Sequence, residues 1–334
     1  GKTGGFAAGV VGLVREAEAL ARMLYQVREE RGALELDIPE LEVVVDDQGR
    51  VTRIEPRPRT WAHRLIEEAM LAANESFARL LRREKLPGIF RTHGGPEAEE
   101  VDEFFEFAKS LGFVSRRHGL RRRLQDILEQ TEKKPLAYAV HLALLKSTQR
   151  AEYSAEAAEH FALASEDYCH FTSPIRRYPD LRVHQVLDAW LAGELLRGRG
   201  RDPWSEHLAE IAAEATDAER TADTAEGALT EVKILRYLAA HTESSFTGVI
   251  TGGKRFGIFV QLDRLIIEGL VPLVALPKDR YHLVASQHLL RGEDSSSSFR
   301  LGDRVEVRIR EIDLAARQLE LELIRKLPHQ EPSR

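Results

Sequence analysis

The run from Phe171 to Asp180, FTSPIRRYPD, sets two adjacent arginines beside a Ser-Pro kink, and residues 160–184 around it gather three histidines and four aromatic rings. Such a set can hold a phosphate. Pro174 disfavours the helical region for Ser173 and itself suits a helix start. Thr172 or Ser173 is therefore expected to cap the helix that follows. Free amides at that helix end, with Arg176 and Arg177 beside them, would form an anion site. Phe171 and Tyr178 are candidates to stack on bases, every one of which has a π face. His170 completes this group of substrate-binding candidates. The alternative is structural: a capped helix whose arginines pair with acids such as Asp167 or Asp180.

A second set lies on the predicted helix from about Thr60 to Arg83. Its apolar face is formed by Ala62, Ile66, Ala69, Met70, Ala73 and Phe77. At about 100° per residue, His63, Glu67 and Asn74 share one stripe along the edge of that face, while Glu68 points away. A polar stripe bordering the core suits a functional carboxylate. The competing reading is a boundary glutamate paired with an arginine, the usual fate of a helical Glu.

These two stretches carry a resemblance. FTSPIRRYPDLRVH resembles the signature of the ribonuclease II / ribonuclease R (RNB) catalytic domain, and AHRLIEEAMLAAN resembles a second motif of the same domain. The match departs at Gln185, where the family usually has arginine. The resemblance implies a 3′→5′ exoribonuclease that degrades single-stranded RNA processively to nucleoside 5′-monophosphates with magnesium. It implies that Arg176 reaches the scissile phosphate and stabilises charge developing there, and that Glu67, the first of the EE pair, accepts a hydrogen bond from the terminal ribose. Arg176 and Glu67 are thus the catalytic candidates. His63, Asn74, His170, Phe171, Thr172, Ser173, Arg177 and Tyr178 are the supporting ones.

Phosphodiester hydrolysis usually needs metal ions held by carboxylates. Asp46-Asp47 reads as a turn, and Asp102, Asp167, Asp180 and Asp188 are scattered, so no metal ligands are expected in this chain. The family's aspartate cluster, its stacking tyrosine and its cold-shock-like domains lie upstream of the region this chain resembles. The magnesium ligands are accordingly expected upstream, and the isolated chain is expected to bind RNA without cutting it. The rival from another class is a non-catalytic RNA-binding or RNA-channelling protein.

Residues 245–325 are rich in β-formers with turn signals every 8–12 residues, which suggests a small barrel or sandwich. FTGVITGGKRFGIFVQL, EGLVPLVAL and FRLGDRVEVRIREIDLAARQLELEL resemble an S1-type RNA-binding barrel of the OB class. Gly257 permits a tight bend at its corner. The resemblance makes Phe256 and Phe259 a stacking platform, with Lys254 and Arg255 on phosphates and Tyr281 as a further stack. Pro272 stands where the family usually has histidine. The plainer reading leaves the aromatics, Phe259 above all, in the barrel core.

These sites need a scaffold. Leu13, Ala17, Leu20, Leu24 and Val27 predict a helix over residues 7–31. Residues 33–55 alternate as a hairpin with its turn at Asp46–Gly49, ended by Pro56 and Pro58. Two or three helices are expected over residues 97–150, one through Leu181, Val183, Val186, Leu187 and Trp190, and an alanine-rich one over residues 204–240. The basic stretch 193–203 reads as a surface connection, and GEDSSSS, from Gly292, as a loop. The expected class is α+β. A helix-rich portion of the catalytic domain covers residues 1–241, an all-β barrel residues 242–326, and a flexible tail residues 327–334. Arg116-Arg117-His118, Arg121–Arg123 and Arg197–Arg201 form basic clusters, read either as solvated faces or as the lining of an RNA path.

The chain has 334 residues, a net charge of −6, 31% charged residues and one cysteine, Cys169. An acidic total argues against a simple nucleic-acid coat, but a local basic channel is compatible with it. A single cysteine excludes an internal disulfide and fits a reducing compartment. No apolar run is long enough to span a bilayer, and a cytoplasmic monomer without membrane contact is expected. The opening GKTGG resembles the end of a P-loop, a motif that also needs an upstream glycine and a preceding strand.

Overall fold

The computed structural model describes residues 8–132, 134, 136–195, 205–242, 244–263, 265–284, 289–294 and 297–328. The GKT triplet, Arg197–Arg201 and most of the expected tail lie outside them.

Helix α1 (Ala8–Arg31) precedes a hairpin of β1 (Leu41–Val45) and β2 (Val51–Pro56). The hairpin turns where expected: Asp46 Oδ1 accepts the amides of Gln48 and Arg50 at 3.0 and 2.8 Å. Residues 33–40, expected in the first strand, lie outside it. Helix α2 (Trp61–Glu84) lies along α1, with buried ion pairs between them. Strand β3 (Phe90–Thr92), three helices α3 (Ala98–Ser110), α4 (Leu120–Thr131) and α5 (Ala137–Ser147), and strand β4 (Glu152–Ser154) follow. Antiparallel β3–β4, which no sequence signal announced, closes the three helices off as a loop on the sheet pair. Helix α6 (Tyr178–Leu191) packs Val183, Val186 and Ala189 against Ala78 and Leu81 of α2, with Phe90 and Cys169 in the same cluster.

Helix α7 (Leu208–Ala239) has 32 residues and spans about 48 Å at 1.5 Å per residue. Its first half packs on β4, where Thr216 Oγ1 accepts the Tyr153 amide at 3.0 Å. Its last turns send Ile234, Leu235 and Leu238 into the core of the β-rich part.

That part is a closed five-stranded barrel, β11-β12-β7-β6-β5, of β5 (Ser245–Lys254), β6 (Gly257–Leu262), β7 (Glu268–Pro272), β11 (Arg304–Asp313) and β12 (Gln318–Lys326). All pairings are antiparallel except β12 with β7. A three-stranded sheet of β8 (Tyr281–Val284), β9 (Leu289–Gly292) and β10 (Ser298–Arg300) is inserted between β7 and β11. The whole is α+β, helices first and barrel second, as expected.

Gly257 does what the sequence asked of it. A Cβ there would stand 2.3 Å from the Val271 carbonyl oxygen and 2.9 Å from Pro272 Cα, so only glycine lets β6 and β7 approach this closely.

Candidate RNA-binding site

The segment 168–180 is held at both ends by buried polar side chains. At its start, Asn74 of α2, 2% exposed, donates from Nδ2 to the Tyr168 hydroxyl and accepts the Phe171 amide on Oδ1, both at 3.0 Å. Both functions of its amide are thereby spent inside the protein, so the structure corrects Asn74 from a substrate contact to an internal clamp. Phe171 is corrected in the same way. Its ring is sandwiched between Phe77 (centroids 3.5 Å apart, 25° between planes) and His184 (4.0 Å, 3°), leaving no face for a base. His184 Nε2 lies 2.9 Å from the Phe171 carbonyl oxygen and fixes the stack.

The helix start is also corrected. α6 begins at Tyr178, with Arg177 as its N-cap and Pro179 in its first turn, so neither Thr172 nor Ser173 caps it. Residues 173–177 instead form a turn in which the Ser173 carbonyl accepts the amides of Arg176 and Arg177 at 3.3 and 3.1 Å. Proline at the second helical position fits, since its missing N–H would have had no partner there.

Asp180, fully buried, anchors this turn. Its Oδ1 accepts the Ser173 amide and Arg177 Nη2, each at 2.8 Å. The two arginines therefore separate. Arg177 is paired internally, as the structural alternative held. Arg176 is exposed, and among the described residues its side chain has no hydrogen-bond or ion-pair partner. Beside it Ile175 is fully exposed and Tyr178 is 52% exposed, so of the aromatics proposed here Tyr178 is the one free to stack.

Behind the turn lies a ladder of rings in which Tyr153, His170, Tyr168, His160 and His93 meet in sequence at centroid distances of 4.9–5.8 Å. Burial, reinforced by neighbouring cations, pushes His170 down to about 3, and burial with His93 does the same for His160. Both rings are thus neutral near pH 7 and add no positive charge to the site. His170 Nδ1 lies 2.9 Å from the Tyr153 hydroxyl, an internal contact where a substrate contact was expected. Burial pushes the Tyr153 phenol up to about 12 and does the same for the Cys169 thiol, which removes both as proton donors near neutrality.

On α2 the two glutamates exchange the places helical geometry gave them. Glu68 is 2% exposed and takes three hydrogen bonds from Arg28 of α1, the shortest 2.6 Å. Glu67 is half-exposed and pairs with Arg59 at 2.7 Å. Ile66, expected on the buried face, is 57% exposed. The buried stripe is Glu68, Asn74, Glu75, Ala78 and Leu81, because α1 brings Arg28 and Arg31 to meet the two acids. His63 lies at the surface, and its Nδ1 accepts the Thr60 amide at 3.2 Å. Glu67 lies seven residues before Asn74, about 10 Å along the helix.

Asp180 is the arginine partner that the structural reading of the sequence named, but its hold on the Ser173 amide and the Arg28–Glu68 pair went unforeseen. An acid in the first turn after a proline was the available signal for the first. The second had none, since residues forty apart have no shared periodicity.

On the barrel, Phe256 is 56% exposed and meets half-buried Phe259 edge to face, 6.1 Å between centroids at 86°. Phe259 is not core. Lys254 and Arg255 are exposed at the same β5–β6 turn. Tyr281 is half-buried; its hydroxyl donates to the Pro277 carbonyl at 2.9 Å and its ring lies 5.9 Å from that of Phe299 at a tilt of 52°. Pro272 ends β7 and leads into a short 3-10 turn.

The basic cluster 116–123 is largely spent internally. Arg117 pairs with Glu129 and Arg121 with Glu159, while Arg123 lies 3.9 Å over the Phe105 ring. As to a metal, no three His, Cys, Asp or Glu side chains among the described residues form a group that could hold one.

Comparison with known proteins identifies two domains in the chain. Residues 7–193 match the RNB domain and residues 240–324 the S1 RNA binding domain. A ribonuclease R of Aquifex aeolicus is 38% identical over 95% of this chain and 45% of its own length. The Escherichia coli ribonuclease R is 34% identical over 93% of this chain and 39% of its own. A Mycoplasma genitalium RNase R solved in complex with ribose-methylated single-stranded RNA superposes with a TM-score of 0.89 at 27% identity, covering 96% of this chain and 50% of that one. The chain thus spans half or less of the length of these relatives.

Proposed function

This chain belongs to the RNB-domain ribonuclease family, and from that premise we propose that it is the part of a 3′→5′ exoribonuclease that presents the phosphate-binding arginine and an RNA-binding barrel. The observation that carries this reading is Arg176: an exposed cation without a side-chain partner among the described residues, on a turn fastened from within. A guanidinium so placed is free to donate to the non-bridging oxygens of the scissile phosphate, where negative charge builds as water adds to phosphorus. The P–O3′ bond then breaks, the leaving O3′ takes a proton, and a nucleoside 5′-monophosphate departs.

Glu67, loosely paired with Arg59 at the surface, accepts from the terminal ribose hydroxyls. Tyr178 offers a free ring beside the phosphate. Farther along the strand Phe256 and Phe259 stack on bases, with Lys254 and Arg255 against the backbone. Single-stranded RNA is thus held at two places, which favours processive shortening. Magnesium would supply activated water and charge neutralisation. The described residues do not fit its site, so its ligands are proposed to lie outside them, and the isolated 334 residues to bind RNA without cutting it. No helix among the described residues is long and apolar enough to cross a membrane. Action as a monomer in the cytoplasm is part of the same proposal.

The test is degradation of single-stranded RNA carrying a 5′ or a 3′ label by the full-length protein and its Arg176→Ala variant. A 3′ label released at once as mononucleotide, a 5′-labelled product shortening from the far end, and a much slower variant are expected. Equal rates for variant and wild type would sink the role of Arg176. Tight binding with no cleavage by either protein would favour the RNA-binding alternative.

A further inference from the structure

Arg176 and Arg177 are chemically identical neighbours, and one carboxylate decides which of them faces outwards. Asp180, 0% exposed, uses a single oxygen to accept both the Ser173 amide and the Arg177 guanidinium. The Ser173 carbonyl in turn accepts the amides of Arg176 and Arg177. The turn 173–177 is therefore closed at its first residue and its last by the same side chain. Upstream, Asn74 fixes the Phe171 amide. Between these fastenings Ile175 and Arg176 project into solvent.

A buried carboxylate is costly unless its charge is met. Here Oδ1 takes a backbone N–H and a guanidinium, and the group sits at the positive end of α6 in its first turn, while Oδ2 is buried without a hydrogen-bond partner among the described residues. A merely structural device could close the turn with a neutral acceptor. Asp180 does more, because its charge holds Arg177 inwards and leaves Arg176 as the cation on offer. We infer that Asp180 is a positioning residue for the reaction, setting the Ser173–Arg177 turn so that Arg176 meets the RNA phosphate. The inference rests on the phosphate role proposed for Arg176.

The experiment is a double-mutant cycle in the full-length protein with Asp180→Asn, Arg176→Ala and both together. Single-turnover cleavage and steady-state kcat and KM are read on a single-stranded oligoribonucleotide, with thermal unfolding alongside. Asp180→Asn keeps one acceptor oxygen for Ser173 but loses the charge that holds Arg177. Arg176→Ala is expected to lower the rate about 10²–10³-fold, as losing one preorganised donor does. Asp180→Asn is expected to lower kcat by about tenfold or more, as a misplaced catalytic group does, with KM within a few-fold of wild type. The double variant is expected to be no slower than Arg176→Ala alone, because residues acting through one another do not add.

A slow Arg176→Ala with Asp180→Asn at the wild-type rate overturns the positioning role alone, as does an additive double variant. Arg176→Ala at the wild-type rate overturns the phosphate role and this inference with it. Should Asp180→Asn fail to fold, Arg177→Lys replaces it in the cycle. Lysine keeps a cation beside Asp180 but not the planar fork. The same non-additivity with Arg176→Ala is expected, and additivity overturns the inference.

Discussion

Glu67 and Glu68 adjoin in sequence, and their removal should have opposite consequences. Glu68 has 3% of its side chain exposed and faces Arg28, 8% exposed, through three hydrogen bonds of 2.6–3.4 Å. Glu68→Gln strands a guanidinium in the α1–α2 interface, and breaking a buried pair from one side costs about 3–5 kcal/mol. At about 2–4 °C per kcal/mol for a unit of this size, the helical part should melt roughly 6–20 °C lower. Glu67 shares an exposed pair with Arg59, with side chains 39% and 43% exposed. Such pairs are worth about 0–1 kcal/mol, so Glu67→Gln should leave the melting temperature nearly unchanged. Its effect should fall on the preference for RNA over an oligonucleotide with a 3′-terminal deoxyribose. The assays are calorimetric unfolding of both variants and competition cleavage with the two oligonucleotides. Equal melting temperatures, or the larger loss in Glu67→Gln, would refute the exchange of roles read from the structure.

Three further outcomes are expected. Phe256→Ala should weaken binding of single-stranded RNA by about 1–3 kcal/mol, the worth of one stacked base, and leave unfolding untouched because the ring is 56% exposed; anisotropy titration and a melting curve check both. His160 and His170 bind protons only near pH 3 when folded but near 6.5 when unfolded, so the unfolded state takes up more protons in between. Stability from these two rings is then complete above about pH 6.5 and lost as pH falls towards 3, by at most about 1.4 kcal/mol per pH unit for each. Urea unfolding should show that slope, and a His160→Gln, His170→Gln double variant with an undiminished slope would contradict it. Gly257→Ala drives a Cβ to 2.3 Å from the Val271 carbonyl oxygen, so the barrel should unfold at lower denaturant while the Arg28–Glu68 region does not; site-resolved hydrogen exchange would separate the two.

The sequence revealed much of the scaffold because most of its elements answer to local signals. α2, α6 and α7 come from helical periodicity, the Asp46–Gly49 turn from its residues, and the barrel from β-formers punctuated by turns. β3 and β4 escaped because three-residue strands carry no readable period, and they pair across some sixty residues. The site was less legible. Phe171 and Asn74 look like contacts for RNA until Phe77, His184 and Tyr168 arrive from elsewhere in the chain to occupy them. Helical spacing points Glu68 outwards, because its partner, Arg28, sits forty positions away on another helix. Periodicity says which residues share a face, and not what that face will meet. Arg176 is the opposite case: among the described residues no partner occupies the side chain that the motif singled out.

The order of pairing in the barrel bears on how the chain comes to be folded. β5 finds β6 a few residues later, but its other neighbour, β11, lies some fifty residues on, and β7 is closed by β12, which comes last of the five. Loop closure must be paid in entropy before those contacts return anything. On the ribosome β5, β6 and β7 therefore emerge as a meander with two bare edges, and the apolar side chains of α7 that fill the barrel wait without a lid. Nascent chains stalled after β7 should be sticky and protease-sensitive, and shielding should appear in a single step once β12 clears the exit tunnel.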